Sequence, residues 1–198
     1  MTTPPMAVTV REGRPEDLEA IQEVHRLAFG AEEGESIVEL VLALLKDPTA
    51  QPVTSLVAVT AEGKVVGHVL FTRAGLTPAP EKDVGVSILA PLGVVPDFQS
   101  QGIGGRLIRE GFEVLRAQGT SLVFVLGHPG YYPRYGFEPA GALGFEAAYP
   151  IEENNADAWM VQALSEELPA ARGKVVCAAM LDKPELWQEP ASVREGAC

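Results

Sequence analysis

The stretch from Leu89 to Phe112, LAPLGVVPDFQSQGIGGRLIREGF, decides how the rest of the chain is read. An apolar run from Ser87 to Val95 meets Pro96, passes through a polar, glycine-rich turn and gives way to helical periodicity. Leu107, Ile108, Phe112 and Leu115 recur at three- and four-residue spacing, which puts them on one face of a helix. Between strand and helix lie Gln99, Ser100, Gln101, Gly102, Ile103, Gly104 and Gly105. Glycines let a ligand approach the backbone, and the first turn of a new helix offers unpaired N–H groups at the positive end of its dipole. The segment reads as a phosphate cradle.

Spacing excludes two common cradles. A Walker loop requires Lys and then Ser or Thr after its second glycine, whereas Arg106 and Leu107 follow Gly104-Gly105. A dinucleotide fingerprint requires a third glycine three residues after Gly104, where Leu107 stands. What remains is Gln-x-x-Gly-x-Gly at 99–104, preceded by Leu-Gly-Val at 92–94. This resembles the acyl-CoA signature of the GNAT superfamily of N-acetyltransferases. Further on, Tyr131-Tyr132-Pro133-Arg134-Tyr135-Gly136-Phe137 resembles the Phe-Tyr-x-x-x-Gly-Phe segment of that family, with Tyr in place of the first Phe.

Working outward, the elements fall in an order that supports the resemblance. Met6–Arg11 alternates as a short strand, and Pro15 with Glu16, Asp17 and Glu19 makes a helix start. Leu18, Ile21, Val24, His25 and Ala28 form the buried stripe of that helix, and Gly30 ends it; at this spacing His25 is a core or boundary residue. AEEGES then reads as an acidic, glycine-broken loop, and residues 37–45 as an apolar helix stopped by Asp47-Pro48. Residues 54–60 and 64–76 are two strands joined at Glu62-Gly63. Pro91 and Gly93 interrupt the next strand, so a bulge or an unpaired edge is expected there, with backbone groups free for an extended ligand. Residues 121–126, SLVFVL, form a strand buried on both faces, reached through a helical crossover over 102–118. The remainder supplies two more strands joined by an acidic loop.

Composition bounds the function. A chain of 198 residues with 46% hydrophobic content makes one domain with a real core. No apolar run is long enough for a membrane span, and the N-terminus lacks the features of a signal peptide, so a cytoplasmic location is expected. Two cysteines give neither a disulfide framework nor a metal site. The net charge of −12 argues against nucleic acid as a partner. Residues 1–50 carry four basic against ten acidic side chains and residues 138–198 four against eleven, but residues 51–137 carry seven against six. The acidity spares the cradle, as a polyanionic cofactor requires.

The resemblance implies an α/β GNAT fold: a central mixed, mostly antiparallel sheet with a parallel pair splayed around the acyl-CoA site and helices on both faces. It spans residues 6 to about 165; residues 1–5 read as a disordered terminus. Residues 166–198 read as an extension packed on the same domain, similar to a bacterial branch with an extra C-terminal strand. Acetyl-CoA is the implied cofactor, held by Leu92, Gly93, Val94, Gln99, Ser100, Gln101, Gly102, Ile103, Gly104 and Gly105. Tyr132 is placed as the general acid that protonates the leaving thiolate, a task that suits a phenol of pKa ~10. A backbone amide at the break over 92–94 supplies the oxyanion donor. The base is left open between His128, Glu33 and Glu35, because Ser87 is the only polar side chain between Val84 and Pro96.

The implied reaction moves an acetyl group from the thioester to a primary amine of a small molecule or peptide by direct attack. Glu32, Glu33 and Glu35 on one side, and Glu152, Glu153 and Asp157 on the other, point to a cationic amine. The protein is expected as a monomer or homodimer. An acyl-CoA-binding module of the same fold without turnover, acting as a sensor or interaction partner, is the alternative class; intact Tyr132 and the unbroken glycine motif favour the enzyme.

Overall fold

The strand–turn–helix unit at the centre of the sequence is also the centre of the fold. In the computed structural model, which describes residues 7–188, the chain runs β1 (Val8–Glu12), α1 (Leu18–Lys46), β2 (Thr54–Thr60), β3 (Val65–Thr77), β4 (Gly85–Val94), α2 (Ile103–Ala117) and β5 (Thr120–Leu126). It continues with β6 (Glu138–Pro139), β7 (Phe145–Glu146), β8 (Trp159–Ala163), β9 (Gly173–Val176) and a short α3 (Glu185–Gln188). The N-terminal residues 1–5, expected as disordered, lie outside the described residues, as does the end of the C-terminal extension.

The strands line up in the order β1-β2-β3-β4-β5-β8-β6, and the far end of β3 also pairs with β9, which in turn pairs with β7. Along the main path only β4 and β5 are parallel, joined through α2 as a crossover. The fold is therefore a mixed, mostly antiparallel open sheet of the α/β class. Alternation along β3 assigns its faces. Val69 and Phe71 pack with Leu107, Ile108, Phe112 and Leu115 of α2, whereas Leu70 joins Ile88, Phe124 and Leu44 of α1 on the opposite face. Truncating a fully buried residue such as Leu107 to Ala costs about 2–5 kcal/mol.

Two local features set the site. Opposite Leu70 the register slips, so that Ala90 and Pro91 together face one residue of β3. This is the bulge expected at Pro91. The second feature corrects the reading of AEEGES. The chain does break at Gly30, which adopts φ 74° and ψ −174°, but helix resumes at once through residues 31–36. There is no loop. Gly34 permits this tight return, since a side chain there would meet the Arg26 carbonyl, and Arg26 ion-pairs with Glu35 across the break. Acidic residues in the first turn of the resumed helix also favour it through the dipole.

Candidate active site

The pairing of β4 with β5 stops at Ile88–Phe124, although β4 continues to Val94 and β5 to Leu126. Beyond that point the parallel strands part. The backbone directions in the gap follow from two bonds. Val95 N–H donates to Val66 O on the β3 side, so the two-residue alternation of a strand turns Gly93 toward β3 and Leu92 and Val94 the other way. Consistent with this, the Val94 carbonyl accepts from Gln99 Nε2 at 2.9 Å on the side away from β3. The backbone groups of Leu92 and Val94 thus line the gap, and Gln99 ties the strand end to the turn.

The turn leads into α2 through Ser100 (φ 59°) and Gly102 (φ 80°), both in the left-handed region. The first bond of the new helix runs from Arg106 N–H to Gly102 O, which leaves the preceding N–H groups without intrahelical partners. A side chain at Gly102 would meet nothing within 4 Å. The site there is open to a phosphate. Gly104 and Gly105 carry a second requirement that the sequence did not announce. A Cβ at Gly104 would fall on the Tyr131 hydroxyl, and one at Gly105 would lie 2.6 Å from the Tyr135 ring. Ser100, Gln101 and Ile103 complete the turn; Gln101 Nε2 donates to Asp97 O, and Ile103 is buried against the core.

Tyr132 points elsewhere than its two neighbours. Its ring lies over Gly127, stacks edge-on with Phe137 at 5.5 Å and is 2% exposed. It lines a cavity of about 240 Å³ on the far side of the gap. The cavity also takes in Ile88 to Leu92 of β4 and Val125 and Leu126 of β5, so it opens onto the splayed strands. None of residues 93–105 lines it; the cradle and the cavity sit on either side of the break.

The candidates for a base separate clearly. Glu33 lines the cavity. Glu35 is engaged by Arg26, which holds its carboxyl below the usual range. His128 accepts from Gly130 N–H through Nδ1, and its carbonyl accepts from Tyr131 N–H at 3.0 Å, so it shapes the turn and is absent from the cavity lining. Glu152, Glu153 and Asp157, expected to face the entrance, are not among the lining residues either. In their place α3 contributes Glu185.

Beneath the site lies a polar chain that sequence reasoning missed. His25 Nε2 is 2.7 Å from His68 Nδ1, and His68 Nε2 is 2.9 Å from Ser55 Oγ. Both rings are fully buried, and burial pushes the His25 pKa down to about 3 and that of His68 well below its ordinary value. His25 Nδ1 has no hydrogen-bond partner and abuts Gly93, where a Cβ would lie 2.9 Å away. His68 and Gly93 are cross-strand partners, so the missing side chain of Gly93 is the space His25 occupies. A histidine inside the apolar strand 65–71 was the available signal.

A splayed parallel pair, a glycine turn at a helix N-terminus and a cavity beyond the gap define an acyl-CoA-type transferase scaffold. Comparison with known proteins makes the family explicit: residues 9–140 match the acetyltransferase (GNAT) domain, and the chain belongs to the GNAT family of N-acetyltransferases. It is 47% identical over 163 residues to the uncharacterized N-acetyltransferase YjhQ of Escherichia coli K12, covering 82% of this chain and 87% of that one. Among solved structures it is similar to the GNAT N-acetyltransferase YhbS of Escherichia coli in complex with CoA, with a TM-score of 0.79 and 27% identity over 92% of this chain and 96% of that one. It is also similar to a GNAT acetyltransferase of Brucella melitensis in complex with acetyl-CoA, with a TM-score of 0.68 and 31% identity over 89% and 99% of the two chains. No described helix is long and apolar enough to cross a membrane.

Proposed function

We propose that the protein transfers an acetyl group from acetyl-CoA to a primary, cationic amine, with Tyr132 as the general acid. The observation that carries this reading is the gap after Ile88–Phe124, where the Leu92 backbone and the Val94 N–H turn away from β3, between the open glycine turn and the cavity lined by Tyr132. Solved relatives in complex with CoA and acetyl-CoA support the choice of cofactor. When bound, the cofactor supplies the activated thioester carbonyl. The backbone N–H groups of residues 100–105 would hold its phosphates, with Gln99 tying the turn to the Val94 carbonyl. The Leu92 backbone and the Val94 N–H would pair with its amides as a neighbouring strand does. An N–H of that strand edge also stabilises the developing oxyanion.

As the N–C bond forms and the C–S bond breaks, Tyr132 Oη gives its proton to the departing sulfur. A lysine-like amine of pKa ~10.4 arrives protonated, a deficit of roughly 4–5 kcal/mol at neutral pH that a base must offset. Glu33 is the candidate base that lines the cavity, and the ammonium loses one proton through it to solvent before attack. A second proton leaves by way of Glu33 and water as the amide forms, and one proton returns to the Tyr132 phenolate, so that amide, thiol and one proton are the net products. Thiol release from acetyl-CoA across a panel of amines tests the reading. A protein that binds CoA in calorimetry yet releases no thiol with any amine would be a sensor module, and the proposal would fall.

A further inference from the structure

The cavity itself says what kind of amine fits. Its walls come from three places that are distant in sequence: Phe29, Ile37 and Leu40 of α1, the β4–β5 gap, and Leu181, Leu186 and Trp187 at the C-terminal end, with Trp159 between them. Apart from Ser36 and Tyr132, the described lining side chains are apolar or carboxylate, and no Lys or Arg is among them. The carboxylates are Glu33 and Glu185, one on α1 and one on α3. A spermidine-like or sugar-like acceptor carries polar groups along its whole length, and beyond those that Ser36, Tyr132, Glu33 and Glu185 can serve it would lose hydration against apolar walls without replacement. A carboxylate-bearing acceptor would meet like charge. A short apolar body carrying one ammonium group satisfies both constraints. The volume of about 240 Å³ suits one ring or a short alkyl chain, given that a cavity of roughly 150 Å³ already accepts benzene.

We infer that this cavity is the acceptor subsite for a primary amine on a compact apolar body, an alkyl- or arylalkylamine, and that residues 181–187 form its specificity wall. The inference rests on the reading of the chain as an N-acetyltransferase and narrows its substrate class. The C-terminal segment, placed at the sequence level as an extension packed on the domain, becomes part of the site. Its placement is anchored: Trp187 Nε1 donates to Leu181 O at 2.8 Å, and the Trp187 ring packs edge-on against Trp159 at 5.5 Å.

Both tryptophans of the chain line the cavity, so intrinsic fluorescence reports its occupancy directly, whether or not turnover occurs. The full chain is titrated with hexylamine, hexanol, hexanoate and spermidine, with hexanoyl-CoA against acetyl-CoA as a separate arm, and thiol release is measured with the two amines. The expected order of binding is hexylamine, then hexanol, then hexanoate and spermidine, with kcat/KM for hexylamine at least about tenfold above that for spermidine. Leu186→Gln and Ile37→Gln, from opposite walls, should each raise the KM for hexylamine about tenfold with little effect on that for acetyl-CoA. Either variant keeps the inference testable if the other fails to fold. Preference for spermidine, or equal response to hexylamine and hexanoate, overturns the inference and leaves the acetyltransferase reading intact. A fluorescence response to hexanoyl-CoA but not to hexylamine also overturns it, assigning the cavity to the acyl chain. Hexylamine binding in the expected order without thiol release would sustain the subsite and instead overturn the proposed activity.

Discussion

Lowering the pH from about 7.5 to about 5 should destabilise this protein through the buried histidine pair, before its carboxylates begin to titrate. His25 has a pKa of about 3 in the folded chain, lowered by burial, against about 6.5 when unfolded. Between those values the unfolded state binds a proton that the folded state refuses, so stability is fully present above about pH 6.5 and is lost as the pH falls toward 3. For His25 alone, the linkage expression gives a loss of about 2 kcal/mol between about pH 7.5 and about pH 5. His68 is held down by burial and by the neighbouring His25, so it adds to the same window. Asp17, paired with Arg11 and lowered to about 2, loses its stabilisation only at more acidic pH, as protonation of the unfolded carboxylate begins. Against a typical total of about 5–15 kcal/mol the His25 contribution alone is large, and it corresponds to a urea midpoint shift of about 1 M. The assay is urea unfolding of wild type and of His25→Gln/His68→Gln at both pH values. His128 is common to both proteins and cancels in the comparison. The double variant starts less stable because it loses the bonds to His68 and Ser55, but its midpoint should move far less with pH. Parallel midpoint shifts in the two proteins would refute a buried, neutral histidine pair.

Tyr132→Phe keeps the ring contacts with Phe137 and Gly127 and removes only the hydroxyl. It should lower kcat by about 10²- to 10⁴-fold while acetyl-CoA affinity in calorimetry holds, and an unchanged kcat would make Tyr132 a packing residue. Gly102→Ala should cost about 1–2 kcal/mol of stability, because φ is 80° there, and should weaken CoA binding by tenfold or more; unaltered affinity would remove Gly102 from the cradle. Gly93→Ala should lower stability by about 1–3 kcal/mol, since its methyl would lie 2.9 Å from His25 Nδ1, and an unchanged melting temperature would show that His25 can yield.

The sequence by itself determined what depends on neighbours along the chain. The strand–turn–helix from β4 into α2 follows from an apolar run, a proline, glycines and three- and four-residue periodicity, all within about thirty residues. The bulge at Pro91 is similarly local, because a proline cannot donate to the ladder. AEEGES was misread because a glycine break looks the same whether helix resumes or not, and only the approach of Gly34 to Arg26 decides it. What tertiary structure alone decided depends on register and on segments far apart. His25 meets His68, 43 residues away, because α1 crosses β3 and β4 where Gly93 leaves room. Gly104 and Gly105 accommodate Tyr131 and Tyr135, a pairing that no local pattern encodes. The cavity closes only when residues 181–187 return to β4 and α1, through apolar contacts that have no fixed spacing along a sequence.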